Sequence, residues 1–415
     1  VTLSRTSPVA AATRVRTTTR AASAGAELIA ALPSPTGSAS FVRDGDGLVG
    51  TGVFARTTVH GPDAAGQIAR WWAEVSAGLE VRDEIGLPGT GPVVFVSLGF
   101  GDDDASVAVV PSVVHGRRDG TAFTTTLGSP GATPVRPVTT PGRVTYSDAF
   151  LSVGGFTGAV ARATDRIHAG ELDKVVLAHD LLATAQFPVD ERFLLRQLAR
   201  SYPTCWTFAV DGLVGASPEM LVRRTGRVVE SRVLAGTAWR DEHGQGEAAI
   251  EAGLLASEKD LAEHRFAARS VADTLAPWCV ELAVPDRPHP LKLANLTHLA
   301  TDIRGTLDDR APTALEVAAL LHPTAAVGGS PRAEALALIR ELEPHARERY
   351  AAPVGWMDST GDGEFAIALR CAQVDGREVR LMAGCGIVAG SDPEIEAREA
   401  QIKMLPIRDA LESRA

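Results

Sequence analysis

Cysteine is scarce and scattered. The 415-residue chain has four, Cys205, Cys279, Cys371 and Cys385, with no CxxC pair and no zinc-ligand spacing. That excludes a disulfide-stapled scaffold and reads as reduced thiols in a cytoplasmic protein. Long apolar runs are missing as well, and none reaches the length of a membrane span. The first twenty residues carry Arg5, Arg14, Arg16 and Arg20 without a single acid, yet no apolar signal core follows them. The expectation is a frayed terminus leading into a first strand. Positive charge is in deficit, 41 Lys and Arg against 51 Asp and Glu, for a net charge of −10. Such a balance argues against a nucleic-acid or anionic-membrane partner, but not against a small anionic substrate, which needs only local positive groups. No internal repeat is present. What the chain does have is apolar residues, 45% of the total, ample for a large core.

Residues 1–145 are rich in Gly, Thr and Val. The Val-rich runs GPVVFVSLGF (91–100) and ASVAVVPSVVHG (105–116) read as strands, DAAGQIARWWAEVSAG (63–78) as a helix, and the Pro/Gly-rich 128–143 as a loop or linker. From Ser147 the texture changes. A helix capped by Ser147 is expected, then a strand over 173–185, then a run of strands over 205–238 with tight turns at Asp211-Gly212 and Thr225-Gly226. Residues 246–278 read as one long helical stretch ended by Pro277. Strands, long helices and strands again predict an α+β fold, with helices packed over large, mostly antiparallel sheets.

Near the C-terminus, SDPEIEAREAQIKM places Glu396, Glu399 and Lys403 on one helix face, after an Asp392 cap and Pro393 at the first helical position. Asp260 and Glu263, in SEKDLAEHRF, form a second carboxylate pair of the same spacing. Two helices that each offer a Glu suit Mg2+, which takes oxygen ligands; salt-bridged surface helices have the same pattern. Lys174 opens an apolar strand, where it is either a solvated strand-end lysine or a buried one. Glu219 follows VGASP and reads equally as a surface turn. Arg370 lies within the apolar run EFAIALRCA, read as a strand, so it must meet a carboxylate of the protein or of a ligand. Gly384 and Gly386, in AGCGI, offer close backbone approach, and His298 is either a ligand contact or a core histidine.

Taken in order, DKVVLA, GASPEML, LAGTAWR, SEKDLAEH, LTHLATDIRGTL, LHPTAAVGGSPR, RYAAPVGW, FAIALRC and AGCGIVAGSDPEIEAREAQIKM resemble the chorismate-utilising enzymes over roughly residues 145–412. The resemblance implies a fold in which residues 1–145 complete the sheets and residues 146–415 carry the chorismate site. It implies Mg2+ held by Glu263 and Glu399, with Asp260 and Glu396 flanking, and Lys403 near the ligand's anionic end. Within the family the chain most resembles isochorismate synthases, in which water attacks C2 of the ring while the C4 hydroxyl leaves. Lys174 matches the base and Glu219 the acid, so Lys174 should be neutral and Glu219 protonated, and burial disfavours either charge. Leu234 matches an apolar position near the leaving side. Gly236, Thr237, His298, Tyr350, Arg370, Gly384 and Gly386 match ligand-facing positions. Arg370 would bind one carboxylate bidentately and backbone amides near the glycines the other.

The amine-transferring relatives typically carry a Ser/Thr-Gly run where this chain has Ala325-Ala326-Val327, and no amino-acid feedback motif is recognisable in the first third. No obligatory glutamine amidotransferase partner is therefore expected. Salicylate synthases tend to carry Thr where Ala326 stands. The segment around Ala326 looks more like menaquinone-pathway enzymes than siderophore-pathway ones. A silent chorismate-binding subunit is the non-enzyme alternative, and intact Lys174 and Glu219 argue against it.

Overall fold

The computed structural model describes residues 14–22, 27–131, 133–239, 246–292 and 296–413. Two large sheets, of 13 and 10 strands, run through it. Val15–Ala21 pairs in parallel with Leu79–Asp83, and the other strand pairs among the described residues are antiparallel. Both sheets are built from both ends of the chain. In the first, Ala39–Arg43 is bonded to Trp206–Val210; in the second, Val93–Ser97 is bonded to Pro353–Asp358. The run VVFVS is buried at every position, as expected for a strand covered on both faces rather than one with a wet side. Phe41, Phe95, Phe208, Trp356 and Phe365 share the main core cluster, to which strands of both sheets contribute. The α+β expectation holds, with eight α-helices among the described residues.

The helices cover the sheets by burying one stripe each. Phe156, Ala159 and Val160 of helix Val153–His168 pack with Val175, Leu177, Ile387, Ala397 and Ala400, which joins that helix, strands Lys174–Ala185 and Glu378–Ile387 of the first sheet and the helix Pro393–Glu412. Ala267, Val271 and Leu275 of helix Glu258–Leu275 enter the core under the second sheet.

Local readings differ from the structure in four places. Ser147 is not a helix cap: it lies in strand Val144–Asp148, paired with Leu182, and the cap is Ser152, whose hydroxyl accepts from the Gly155 amide. The stretch 246–278 is two helices, Glu247–Ala256 and Glu258–Leu275, because Ser257 takes an extended conformation and caps the second; Pro277 lies in a 3-10 turn beyond it. Asp211 and Gly212, at φ 52° and 80°, form the expected two-residue turn, but the next hairpin closes on Gly226 and Arg227, since Thr225 still pairs with Val228. Arg370 is not within a strand. It stands between Gly363–Ile367 and Cys371–Asp375 at φ 49°, a left-handed turn that lets the chain pass from the second sheet to the first. The first strand begins at Val15; residues 1–13, including Arg5, lie outside the described residues.

Candidate active site

Strand Lys174–Ala185 pairs antiparallel with Glu378–Ile387 in the first sheet, Val175 opposite Ile387 and Ala178 opposite Gly384. Its first residue, Lys174, is fully buried, so its side-chain nitrogen needs a hydrogen-bond partner. The partner is Glu263 of helix Glu258–Leu275, whose Oε1 accepts from Lys174 Nζ at 2.8 Å. Gly386 makes this contact possible: a Cβ there would stand 2.6 Å from Glu263 Oε1 and 2.9 Å from Lys174 Cε. Two residues earlier, the Gly384 carbonyl accepts from Lys403 Nζ at 3.0 Å. The glycine strand, expected to receive a ligand, thus also seats Lys174 and Lys403, the lysines buried among the described residues.

Glu219 sits where strand Leu213–Ser217 has ended and Met220–Thr225 is about to begin. It is buried, not a surface turn. Desolvation pushes its carboxyl up to about 8, although the Leu234 amide and the charges of Lys174, Arg370 and Lys403 pull the other way. At neutral pH this side chain is an acid holding its proton.

Strands Val228–Trp239 and Leu296–Leu307 of the second sheet supply the opposite wall. Their ladder slips between Ala235, opposite Leu299, and Thr237, opposite His298, and the unpaired residue is Gly236 at φ 76°. This is a glycine bulge, which breaks the alternation of side chains and lets Leu234, Ala235, Gly236 and Thr237 all line the cavity. A Cβ on Gly236 would lie 3.0 Å from Asp260 Cβ, so the same glycine admits the start of helix Glu258–Leu275. His298 Nδ1 lies 3.1 Å from Thr237 Oγ1 and 3.3 Å from the Gly236 carbonyl. A carbonyl only accepts, so Nδ1 carries the hydrogen. Burial first, then Arg370 and Lys403, hold the ring neutral, which leaves Nε2 as an acceptor.

Two capped helices bring in the acids. Ser257 accepts from the Asp260 amide at the head of one; Asp392 accepts from the Glu394 and Ile395 amides at the head of the other. Glu396 and Lys403 of the second are buried, so this face is not a solvated one. Lys403 is paired with Glu399 at 2.5 Å. Burial works against its charge, but Glu399 beside it outweighs that and raises its pKa. Each buried lysine is therefore matched by one helix glutamate, Lys174 of the strand by Glu263 and Lys403 by Glu399 of its own helix.

The groups converge on one cavity of about 330 Å³. Glu219, Leu234, Gly236, Thr237, Asp260, Glu263, His298, Ala326, Tyr350, Arg370, Gly384, Gly386, Glu396, Glu399 and Lys403 all line it. Among the residues expected from sequence, Lys174 alone is not in the lining; Glu263 and Gly386 stand at its Nζ. Burial pushes the Tyr350 hydroxyl well up, so it stays protonated. Sequence reasoning missed the apolar lining: Val176, Ala235, Val327, Ala351, Leu369 and Ile395. Ile395 had a signal, because it stands four residues before Glu399 and so on the same helix face. The others look in sequence like any apolar core residue.

A family profile described as "Chorismate binding enzyme" matches residues 135–412, and the chain belongs to that family. Among curated proteins it is 41% identical over 259 residues to isochorismate synthase DhbC of Bacillus subtilis, covering 60% of this chain and 65% of that one. It is 40% identical over 257 residues to isochorismate synthase MenF of the same organism, covering 61% and 54%. The aligned region thus spans less than two thirds of either relative. Among solved structures, MenF, the menaquinone-specific isochorismate synthase from Escherichia coli, superposes with a TM-score of 0.79 at 26% identity, covering 96% of this chain and 95% of that one.

Proposed function

We propose that this chain is an isochorismate synthase, interconverting chorismate and isochorismate by water attack at C2 and loss of the C4 hydroxyl. The observation that carries the reading is the buried Glu219, held protonated at neutral pH in a cavity where Arg370 and Lys403 stand with the carboxylates of Asp260, Glu263, Glu396 and Glu399. An acid of this kind can hand its proton to a leaving hydroxyl, and Lys174, which must act in its neutral form, takes the proton of the attacking water. Arg370 and Lys403 meet the two ligand carboxylates. His298 Nε2 accepts from a ligand hydroxyl. Leu234 and the other apolar residues exclude bulk water from the ring.

Mg2+ is part of the same proposal. Cys385 Sγ lies within 4.8 Å of carboxylate oxygens of Glu396 and Glu399, a group that at first sight offers sulfur to a softer metal. Burial keeps that thiol protonated, its pKa well above the ordinary value, and it hydrogen-bonds the Glu396 carbonyl at 3.2 Å. The remaining donors are carboxylate oxygens from two helices, which fit a hard divalent cation. Glu263 and Glu399 would hold it, with Asp260 and Glu396 beside them. When bound, it supplies positive charge to a ligand carboxylate.

Water as the nucleophile removes any need for delivered ammonia, so we propose that the chain works without an amidotransferase. No described helix is long and apolar enough to cross a membrane, and all four cysteines are free, in keeping with a cytoplasmic placement. The structural match to MenF supports a menaquinone role; growth of a strain lacking the gene, rescued by menaquinone and not by 2,3-dihydroxybenzoate, tests it. The activity is tested by incubating the purified chain with chorismate and Mg2+. Isochorismate with little or no pyruvate is expected, since Ala326 offers only a methyl to the enolpyruvyl group. Salicylate and pyruvate appearing in step with chorismate loss would make it a salicylate synthase instead. Ala326→Thr should lower turnover.

A further inference from the structure

Behind the cavity lies a buried arginine that the chemistry above does not use. Arg347 is 2% exposed. Its Nη1 donates to the Val327 carbonyl at 2.8 Å and its Nη2 to the Val176 carbonyl at 2.7 Å. Glu343 answers its charge in a fork, Oε1 to Nη2 at 2.6 Å and Oε2 to Nε at 2.9 Å. Glu343 Oε1 also accepts from the Ala178 amide at 2.8 Å. The Phe100 ring covers the guanidinium, 4.3 Å from Cζ.

The acceptors are not scattered. Val176 and Ala178 belong to the strand that starts at Lys174; Val327 follows Ala326 directly. Val176 and Val327 both line the cavity. The guanidinium therefore fixes the spacing between the segment carrying the proton acceptor and the segment facing the enolpyruvyl group. Its fork is planar and rigid, so this spacing has one value. The ladder between the segments is short: Lys174 opposite Ser330, Val175 opposite Gly329, and the Val176 amide on the Gly328 carbonyl at 2.8 Å. Without the clamp, those few bonds alone would set the register.

We propose that Arg347 and Glu343 are positioning residues that hold the Lys174 strand and the Ala326 segment at the separation the ring requires; this rests on the activity proposed above. The molecule supplies its own control. Arg349, two residues on and also buried, donates to the carbonyls of Val210 and Asp211 and to Gln373 Oε1, none of which lines the cavity. Replacing either arginine by lysine keeps the charge and loses the fork.

The experiment compares Arg347→Lys, Glu343→Gln and Arg349→Lys in the full chain, by melting temperature, turnover with chorismate and Mg2+, and amide hydrogen exchange. Misplacement of a reacting group by about 1 Å costs on the order of 10²-fold. Arg347→Lys and Glu343→Gln are expected to lose turnover on that order at temperatures where they remain folded. KM should move only a few-fold, because Arg370 and Lys403 are untouched. Exchange should rise at least about tenfold over 174–179 and 324–330 and not elsewhere. Arg349→Lys should lower the melting temperature yet keep wild-type turnover. The clamp is wrong if the first two variants turn over within a few-fold of wild type, if Arg349→Lys loses as much at equal stability, or if exchange in the two segments is unchanged. A wild-type chain that makes no isochorismate would overturn the functional reading, and the exchange measurement would still decide the clamp.

Discussion

At the scale of the residue, the site is made by burial acting on side chains that look ordinary in sequence. Glu219 titrates near 8 rather than near 4.5 because it is desolvated. In its proposed role as acid it must be protonated, so turnover should hold below about pH 8 and fall as the pH rises through it. Glu219→Gln should lose at least about 10²-fold, and so should Lys174→Ala, both measured as kcat on folded protein. Stability carries the same signature. A carboxyl whose folded pKa is raised binds its proton more tightly in the native state, so the stabilisation is complete below about 4.5 and is lost as pH rises through about 8. Melting temperature against pH should therefore slope downward across that window, and Glu219→Gln should flatten it. A second test is steric. Gly386→Ala would push a methyl into the ends of Lys174 and Glu263, which can shift without disturbing the sheet. Turnover should drop on the order of 10²-fold with little change in melting temperature. The identity of these residues was legible from motif order, but their environment was not. Lys174 and Glu219 read equally as solvated positions, because burial depends on strands far away in sequence.

At the scale of the element, two helix heads aim the carboxylates. Asp392 holds the first turn of Pro393–Glu412 through two amides, and Glu396 and Glu399 follow within two turns. Asp392→Ala should cost about 1 kcal/mol of stability, seen by denaturant melting, and should raise the Mg2+ needed for half-maximal turnover. Glu399→Gln should abolish activity at low Mg2+ with the fold intact by circular dichroism. The Asp392 cap and the Glu396/Glu399/Lys403 face were readable, since helix spacing is a local property. Where sequence misled, two local signals competed. Ser147 and Ser152 are both plausible caps, and strand pairing of Ser147 with Leu182, a tertiary contact, decided between them. The break at Ser257 hid inside a continuous helical pattern because Leu254, Leu261 and their neighbours keep the period while the chain bends. Arg370 was placed in a strand by its apolar neighbours; what takes it out is a left-handed turn between two sheets, which no periodicity encodes.

At the scale of the molecule, the N-terminal third is structural mortar. Trp206–Val210 and Pro353–Asp358 each lie against an N-terminal strand, and their side chains are buried. A fragment beginning at residue 135, where the family match starts, would expose both edges together with Trp206 and Trp356. It should be insoluble, or bind a hydrophobic dye, when expressed alone. Soluble, cooperative unfolding of that fragment would contradict this. The sheet order was beyond sequence reading, because pairing partners lie hundreds of residues apart, as with Val93–Ser97 and Pro353–Asp358. That same topology sets when the catalyst exists. Lys174 meets Glu263 across 89 residues, and Lys403 reaches Gly384 from the last helix described. During synthesis Lys174, Glu219 and Glu263 emerge first, and the cavity acquires Glu396, Glu399 and Lys403 only when residues 393–412 have been made and docked. On the roles proposed above, turnover therefore begins only once that helix has docked, and activity in a nascent-chain assay would time its docking.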